Sequence, residues 1–178
     1  MAGYLLWMLW GTNFVTDRAQ AELREEFDTK LEHPTPPPSD DDIVRVPGSA
    51  VAKIVIPRMD LDMIVVDGTS TQDLERGPGL YPDSRLPWQP HGRVAIAGHR
   101  TTYKAPFWDL DKLGKGDKIQ LQTEHGTFDY RVYRTETVAP TAVQVADPDA
   151  TVGPTLVLTT CTPRFSAEQR LVVFAQRT

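Results

Sequence analysis

From residue 51 onward, hydrophobic positions recur in short runs separated by Gly, Pro and Asp. The runs are VAKIVIP (51–57), DMIVVDG (62–68), GRVAIAGH (92–99), DKIQLQT (117–123), GTFDYRVYRTETV (126–138), TLVLTTC (155–161) and QRLVVFA (169–175). Two of them alternate plainly. Ile119 and Leu121 alternate with Lys118, Gln120 and Gln122, and Phe128, Tyr130 and Val132 with Asp129, Arg131 and Tyr133. A side-chain period of two belongs to half-buried antiparallel strands. The last two runs are apolar on both faces, which predicts strands in the middle of a closed sheet. His125-Gly126 suits a hairpin turn between 117–123 and 126–138. Helical patterns within this region are short, at 71–76 and 106–113. Many short strands with few helices predict a mostly β fold, a small barrel or sandwich. There is no internal repeat and no glycine-rich phosphate loop.

The first fifty residues have a different texture. Residues 2–15, AGYLLWMLWGTNFV, are uncharged, and Tyr4, Trp7 and Trp10 suit a membrane–water boundary. The stretch is shorter than the ~20 residues of a full span, and no Lys or Arg precedes it as in a signal peptide. Residues 1–15 are therefore read as part of a membrane anchor, or its C-terminal end. The alternative is an N-terminal helix packed on the body. In residues 16–33, Leu23, Phe27 and Leu31 fall at helical spacing with mostly charged neighbours, which predicts a solvated stalk helix. Residues 34–49 form a Pro- and Asp-rich linker. The prolines between Pro34 and Pro38 favour an extended spacer whose role would be reach. Asp40–Asp42 read as solvated linker, since adjacent carboxylates on a flexible segment lack the positioned oxygens a cation needs. Residues 50–178 are the β-rich body.

Charge narrows the partners. The net charge of −5 sits in residues 1–50, where 4 Lys/Arg face 9 Asp/Glu, while residues 51–178 are balanced at 15 against 15. No basic stripe offers itself to phosphates, so a nucleic-acid partner is not expected. The single cysteine, Cys161, excludes an intrachain disulfide and a multi-cysteine zinc site. No cofactor or metal is called for.

That thiol can be core filler, a redox handle or a nucleophile. Cys161 closes an apolar run and precedes Thr162-Pro163; proline cannot continue a central strand, so Cys161 belongs at a strand end facing a loop. Arg170 lies nine residues on. If the chain folds back near Phe165–Ser166, Cys161 and Arg170 stand opposite each other, about 5 Å apart at Cα. A guanidinium there favours thiolate and can bond an oxyanion; the alternative is a surface cation, and Arg164 competes for the role. His99 ends VAIAGH, either as a solvated turn residue or as a proton acceptor for the thiol. His33, His91 and His125 sit in linker or turn segments.

Together these residues resemble the sortases, cysteine transpeptidases of Gram-positive bacteria. The resemblance rests on AIAGHR around His99, LTTC at Leu158–Cys161 and Arg170 nine positions on, with Val157 where the family motif has a leading threonine. AGHRTTYKAPFWDLDKL and CTPRFSAEQRLVV are most similar to the class E sortases of actinobacteria. The resemblance implies a closed eight-stranded sortase-type β-barrel over about 50–178. It implies that Cys161 attacks the carbonyl between Thr and Gly of an LAXTG- or LPXTG-like C-terminal sorting motif, of which class E enzymes favour LAXTG. His99 would be the general acid/base and Arg170 would steady substrate and oxyanion. Thr160 would line the groove beside the thiol, and Tyr103 would contact substrate or pack on the barrel. Residues 139–153 would shape the sorting-signal groove. Implied partners are sorting-signal peptides of surface proteins, a lipid II-type peptidoglycan precursor supplying the acceptor amine, and the membrane at the N-terminus. The implied location is the cell membrane with the catalytic domain extracytoplasmic. The same residues leave open a non-catalytic surface-binding barrel, or a thiol peptidase using water as acceptor.

Overall fold

A computed structural model describes residues 11–148 and 151–178. Among them, eight strands close into one barrel: β1 (Ala50–Ile56), β2 (Leu61–Asp67), β3 (Gly79–Leu80), β4 (Arg93–Ala97), β5 (Lys118–Thr123), β6 (Gly126–Val138), β7 (Thr155–Thr162) and β8 (Gln169–Arg177). Their order around the barrel is β1-β2-β3-β4-β7-β8-β6-β5, with β5 pairing back onto β1. The pairs β2–β3 and β4–β7 are parallel and the rest antiparallel. The β5–β6 hairpin turns at Glu124-His125, with Thr123 opposite Gly126.

Side-chain alternation sorts the strands into an inside and an outside. Ile54, Ile96, Leu121, Tyr130, Leu156, Leu158 and Val173 fill the interior. Two apolar clusters lie outside the wall. Ala95, Val157, Val172 and Phe174 are covered by Val138, Val145 and Ala146, the last two from a single 3-10 turn at Val143–Ala146 in the long β6–β7 connection. This covering layer makes β7 and β8 apolar on both faces.

The second outer cluster corrects the reading of the N-terminal region. The first helix among the described residues, α1, spans Thr12–Glu32, which takes in the end of the segment read as anchor. It is not a solvated stalk. Leu23 and Phe27, both buried, pack on Ala50, Ile64 and Val66 of the barrel wall. Polar residues extend the same face. Thr16 Oγ1 donates to Glu75 O at 2.8 Å, and Gln20 bridges the Ile64 amide and the Ile64 and Arg76 carbonyls. The helix covers β2, which accounts for the nearly continuous burial of Leu61–Asp67. The rest of the anchor segment, residues 1–10, lies outside the described residues; among the described ones no helix is long and apolar enough to cross a membrane.

The linker is laid along the barrel rather than extended away from it. His125 Nδ1 donates to Thr35 O at 2.8 Å. Asp40 accepts from Gln89 and pairs with Arg85. Arg45 pairs with the buried Asp67 carboxylate and reaches the Tyr81, Pro82 and Ser84 carbonyls. The short helix α2 spans Thr71–Arg76 behind a Ser70/Asp73 capping box. Residues 106–113 form turns and one 3-10 turn, Leu110–Lys112, instead of the expected helix. Their backbone donors are spent on Phe107 N–His99 O and Trp108 N–Ala105 O while Phe107, Leu110 and Leu113 turn into the core.

Phe27→Ala tests the docked helix. Emptying a fully buried aromatic site should lower unfolding free energy by about 3 kcal/mol. Urea denaturation of the full chain reads this, since a solvated stalk would lose only a few tenths.

Candidate active site

Three strand ends meet at one edge of the barrel. In the parallel β4–β7 pair, Ala97 lies opposite Thr159, and Gly98 N extends the ladder by donating to Thr159 O at 3.1 Å. In the antiparallel β7–β8 pair, Cys161 lies opposite Arg170. Leu156 and Leu158 face the interior whereas Val157 faces outward, so by alternation Cys161 faces outward. The same argument puts Arg170 outward, since Leu171 next to it is interior and Val172 after that is outward. His99 continues β4 two residues past Ala97, beside the end of β7. Cys161 and Arg170 thus share one outer face of adjacent strands, and His99 follows the end of the strand on the other side of β7.

The surroundings of each are distinct. Cys161 is half-buried and free. Arg170 Nη1 donates to Ala167 O at 3.1 Å and Gln169 O at 3.2 Å, and among the described residues no carboxylate pairs with it. Arg164 is engaged elsewhere: its guanidinium lies over the Trp108 ring at 4.7 Å and bonds Asp111 at 3.1 Å. The geometry therefore separates the two arginines that the sequence leaves in competition. His99 is half-buried, and its Nε2 is buried with no hydrogen-bond partner among the described residues. Burial holds its pKa below the ordinary 6.5, against a smaller upward pull from the Glu75 carboxylate. At neutral pH the imidazole is then predominantly uncharged and able to accept a proton.

Thr160 does not open onto a groove. It is buried, and its Oγ1 donates to Gly98 O at 2.7 Å, which ties the Cys161 strand to the peptide preceding His99. Gly98 is required by close approach, because a methyl there would stand 2.6 Å from the Phe107 ring. Tyr103 lies against His99, with ring centroids 5.1 Å apart and planes tilted by 31°. Its hydroxyl donates to Glu75 Oε1 at 2.8 Å, and this bond and burial raise its pKa.

Arg100 was not singled out by the sequence reading, although it adjoins His99 in AGHR. It is only 4% exposed. Its Nε donates to Trp108 O at 2.9 Å, Nη1 to Cys161 O at 3.4 Å, and Nη2 pairs with Asp111 at 3.0 Å. One guanidinium thus joins the backbone of Cys161 to the His99 loop. Burial depresses its pKa, with Asp111 opposing. On the other side of Arg170, a groove of about 410 Å³ is lined by Tyr81, Pro140, Val145, Ala146 and Thr159 among others. In it the Tyr81 hydroxyl and Thr159 Oγ1 share a 3.0 Å hydrogen bond.

Residues 54–178 match the family described as "Sortase domain". The chain belongs to the sortase family. Sortase SrtE1 of Streptomyces coelicolor is 34% identical over 143 residues, covering 73% of this chain and 41% of that protein. Sortase D of Bacillus subtilis is 33% identical over 141 residues, covering 73% of this chain and 65% of that one. The chain therefore spans less than two thirds of either relative. The crystal structure of sortase E1 from Streptomyces coelicolor with a tripeptide in the active site aligns with a TM-score of 0.70 at 30% identity, over 76% of this chain and 91% of that one. The family is one of cysteine transpeptidases, the similarity includes class E members, and the closed mostly β barrel is the sortase fold. In this sortase domain the candidate residues sit at three neighbouring strand ends, and the ends carrying His99 and Cys161 are braced by Thr160 and Arg100.

The depressed His99 pKa has a signed consequence. The folded imidazole is harder to protonate than the unfolded one. Its contribution to stability is whole above about 6.5 and falls away as pH drops through the lower folded value. An NMR titration should give His99 a midpoint below 6.5, and Glu75→Gln should lower it further.

Proposed function

We propose that this chain is a class E-type sortase that cuts an LAXTG- or LPXTG-like C-terminal sorting motif between Thr and Gly. Cys161 is the nucleophile, His99 the general acid/base, and Arg170 the cation at the carbonyl oxygen. The observation that carries the reading is the convergence of three strand ends, with Cys161 opposite Arg170 in the ladder and His99 just past the end of the strand paired with β7.

The reaction follows from those positions. His99 takes the thiol proton as the sulfur attacks the Thr carbonyl carbon. The oxygen gains negative charge, which Arg170 stabilises, and a charge-assisted bond there is worth more in the intermediate than in the ground state. As the C–N bond breaks, His99 returns the proton to the departing Gly amine, leaving a thioester on Cys161. An acceptor amine then attacks the thioester, His99 takes its proton, and the thiol is released with a new amide formed. The groove at Tyr81, Val145, Ala146 and Thr159 receives the residues preceding the cut bond, with apolar walls that suit Leu and Ala. Thr160 acts by holding the Gly98 peptide. The acceptor is the amine of a lipid II-type peptidoglycan precursor, and the apolar N-terminal residues tether the enzyme to the cell membrane with the barrel outside.

Incubation of the full chain with an LAXTG peptide and a primary amine should yield the joined product, read by mass spectrometry. Cys161→Ala should abolish it. Arg170→Ala should lower kcat by about 10²-fold or more while leaving the melting temperature unchanged. Joining by Cys161→Ala would overturn the assignment, and peptide cleavage with no joined product would make water the acceptor.

A further inference from the structure

The segment after His99 adopts a backbone that its residues do not favour. Tyr103, Lys104 and Ala105 all have positive φ, at 52°, 61° and 41°. A single non-glycine residue in this region is uncommon, and three in succession persist only where surrounding contacts impose them. Within the loop Ala105 N donates to Thr102 O at 2.8 Å; the contacts from outside it come mostly from α1. Asn13 Oδ1 accepts from Lys104 N at 2.7 Å, and Thr12 Oγ1 accepts from Tyr103 N at 3.5 Å. Asp17 pairs with the Lys104 ammonium. From α2, Glu75 takes the Tyr103 hydroxyl, while the Glu75 carbonyl is itself bonded by Thr16. The first turns of α1 therefore hold both the turn and the helix that holds the turn.

The other end of the chain of contacts is His99, against which the Tyr103 ring is stacked. His99 lies beyond the last residue of β4, so the strand ladder does not fix its ring. On these contacts, and on the reading of His99 as the acid/base, we infer that the start of α1 is a positioning element of the active site: Asn13, and Glu75 through Tyr103, hold the loop that sets the His99 ring. None of these residues touches the reacting atoms. Their effect is on where the imidazole stands relative to the thiol, and displacements of about an ångström at a proton-transfer group cost rate rather than substrate affinity. The helix docking that the fold requires for its own packing at Leu23 and Phe27 is thus also a requirement of the chemistry. A factor that lifted the first turns of α1 would slow the enzyme without touching the groove.

The test uses the full chain with Asn13→Ala, the conservative Asn13→Asp, which keeps an acceptor oxygen, and Tyr103→Phe, which keeps the ring but loses the bond to Glu75. Two quantities are read: kcat and KM for peptide joining, and the imidazole resonances of His99 in a histidine NMR spectrum. Asn13→Ala and Tyr103→Phe should lower kcat about tenfold with KM within twofold. They should shift or broaden the His99 signals while those of His33, His91 and His125 stay in place, and Asn13→Asp should recover most of both. A merely structural role would lower the melting temperature and leave kcat per folded molecule and the His99 signals as in the wild type; that result overturns the inference. If the wild type joins no peptide, the function assigned above fails, and the His99 spectra still decide whether α1 positions the ring.

Discussion

The register of three neighbouring strands governs this molecule. β7 runs between β4, which lies parallel to it, and β8, which lies antiparallel. A parallel pair brings the ends of two strands that are distant in sequence to the same edge, and an antiparallel pair returns the chain to that edge after one loop. With Ala97 opposite Thr159 and Cys161 opposite Arg170, the side chains of Cys161 and Arg170 share a face and His99 follows at the same edge. A slip of one residue in either pair would turn a member of the set into the barrel interior. The interior resists such a slip, because Ile96, Leu158 and Val173 would exchange places with outward residues.

Hydrogen bonds from buried side chains secure that edge where the ladder ends. Thr160 bonds the Gly98 carbonyl, and Arg100 bonds the Cys161 and Trp108 carbonyls while pairing with Asp111. Each spans from the β7 end to the segment around His99. A buried donor or acceptor stripped of its partner costs about 1–3 kcal/mol, so these contacts favour one arrangement strongly. Outside the wall, α1 and the β6–β7 connection each cover an apolar cluster, and each borders the candidate site on its own side. The wall is packed on both faces where the chemistry is placed, and the groove lies between the wall and the second cover.

The parts of this arrangement that were legible in the sequence are those governed by local period and loop length. The alternation of 117–123 and 126–138 marked the hairpin, and the short loop between Cys161 and Arg170 implied that they face each other. What escaped had other physics. β3 is two residues, Gly79–Leu80, too few for any period. The docking of α1 was hidden because half of its buried stripe is polar: Thr12, Thr16 and Gln20 continue the line of Leu23 and Phe27, and their burial makes sense only once the Glu75, Arg76 and Ile64 backbone groups stand opposite. Arg100 escaped because arginine is rarely buried without a partner, and its partners are a carboxylate and carbonyls brought together by the fold. Thr160, read as a groove residue from the motif, faces the other way because alternate residues of a strand point to opposite sides.

The central claim is that the Cys161 sulfur is the atom that takes the acyl group on that shared face. Intact-protein mass spectrometry of the chain mixed with a sorting-motif peptide, without an acceptor amine, tests it most directly. The account predicts a covalent adduct with the mass of the peptide up to its threonine, sensitive to hydroxylamine and mapped to Cys161. Complete turnover of the peptide with the adduct absent or on another residue, or with Cys161 alkylated beforehand, would contradict it.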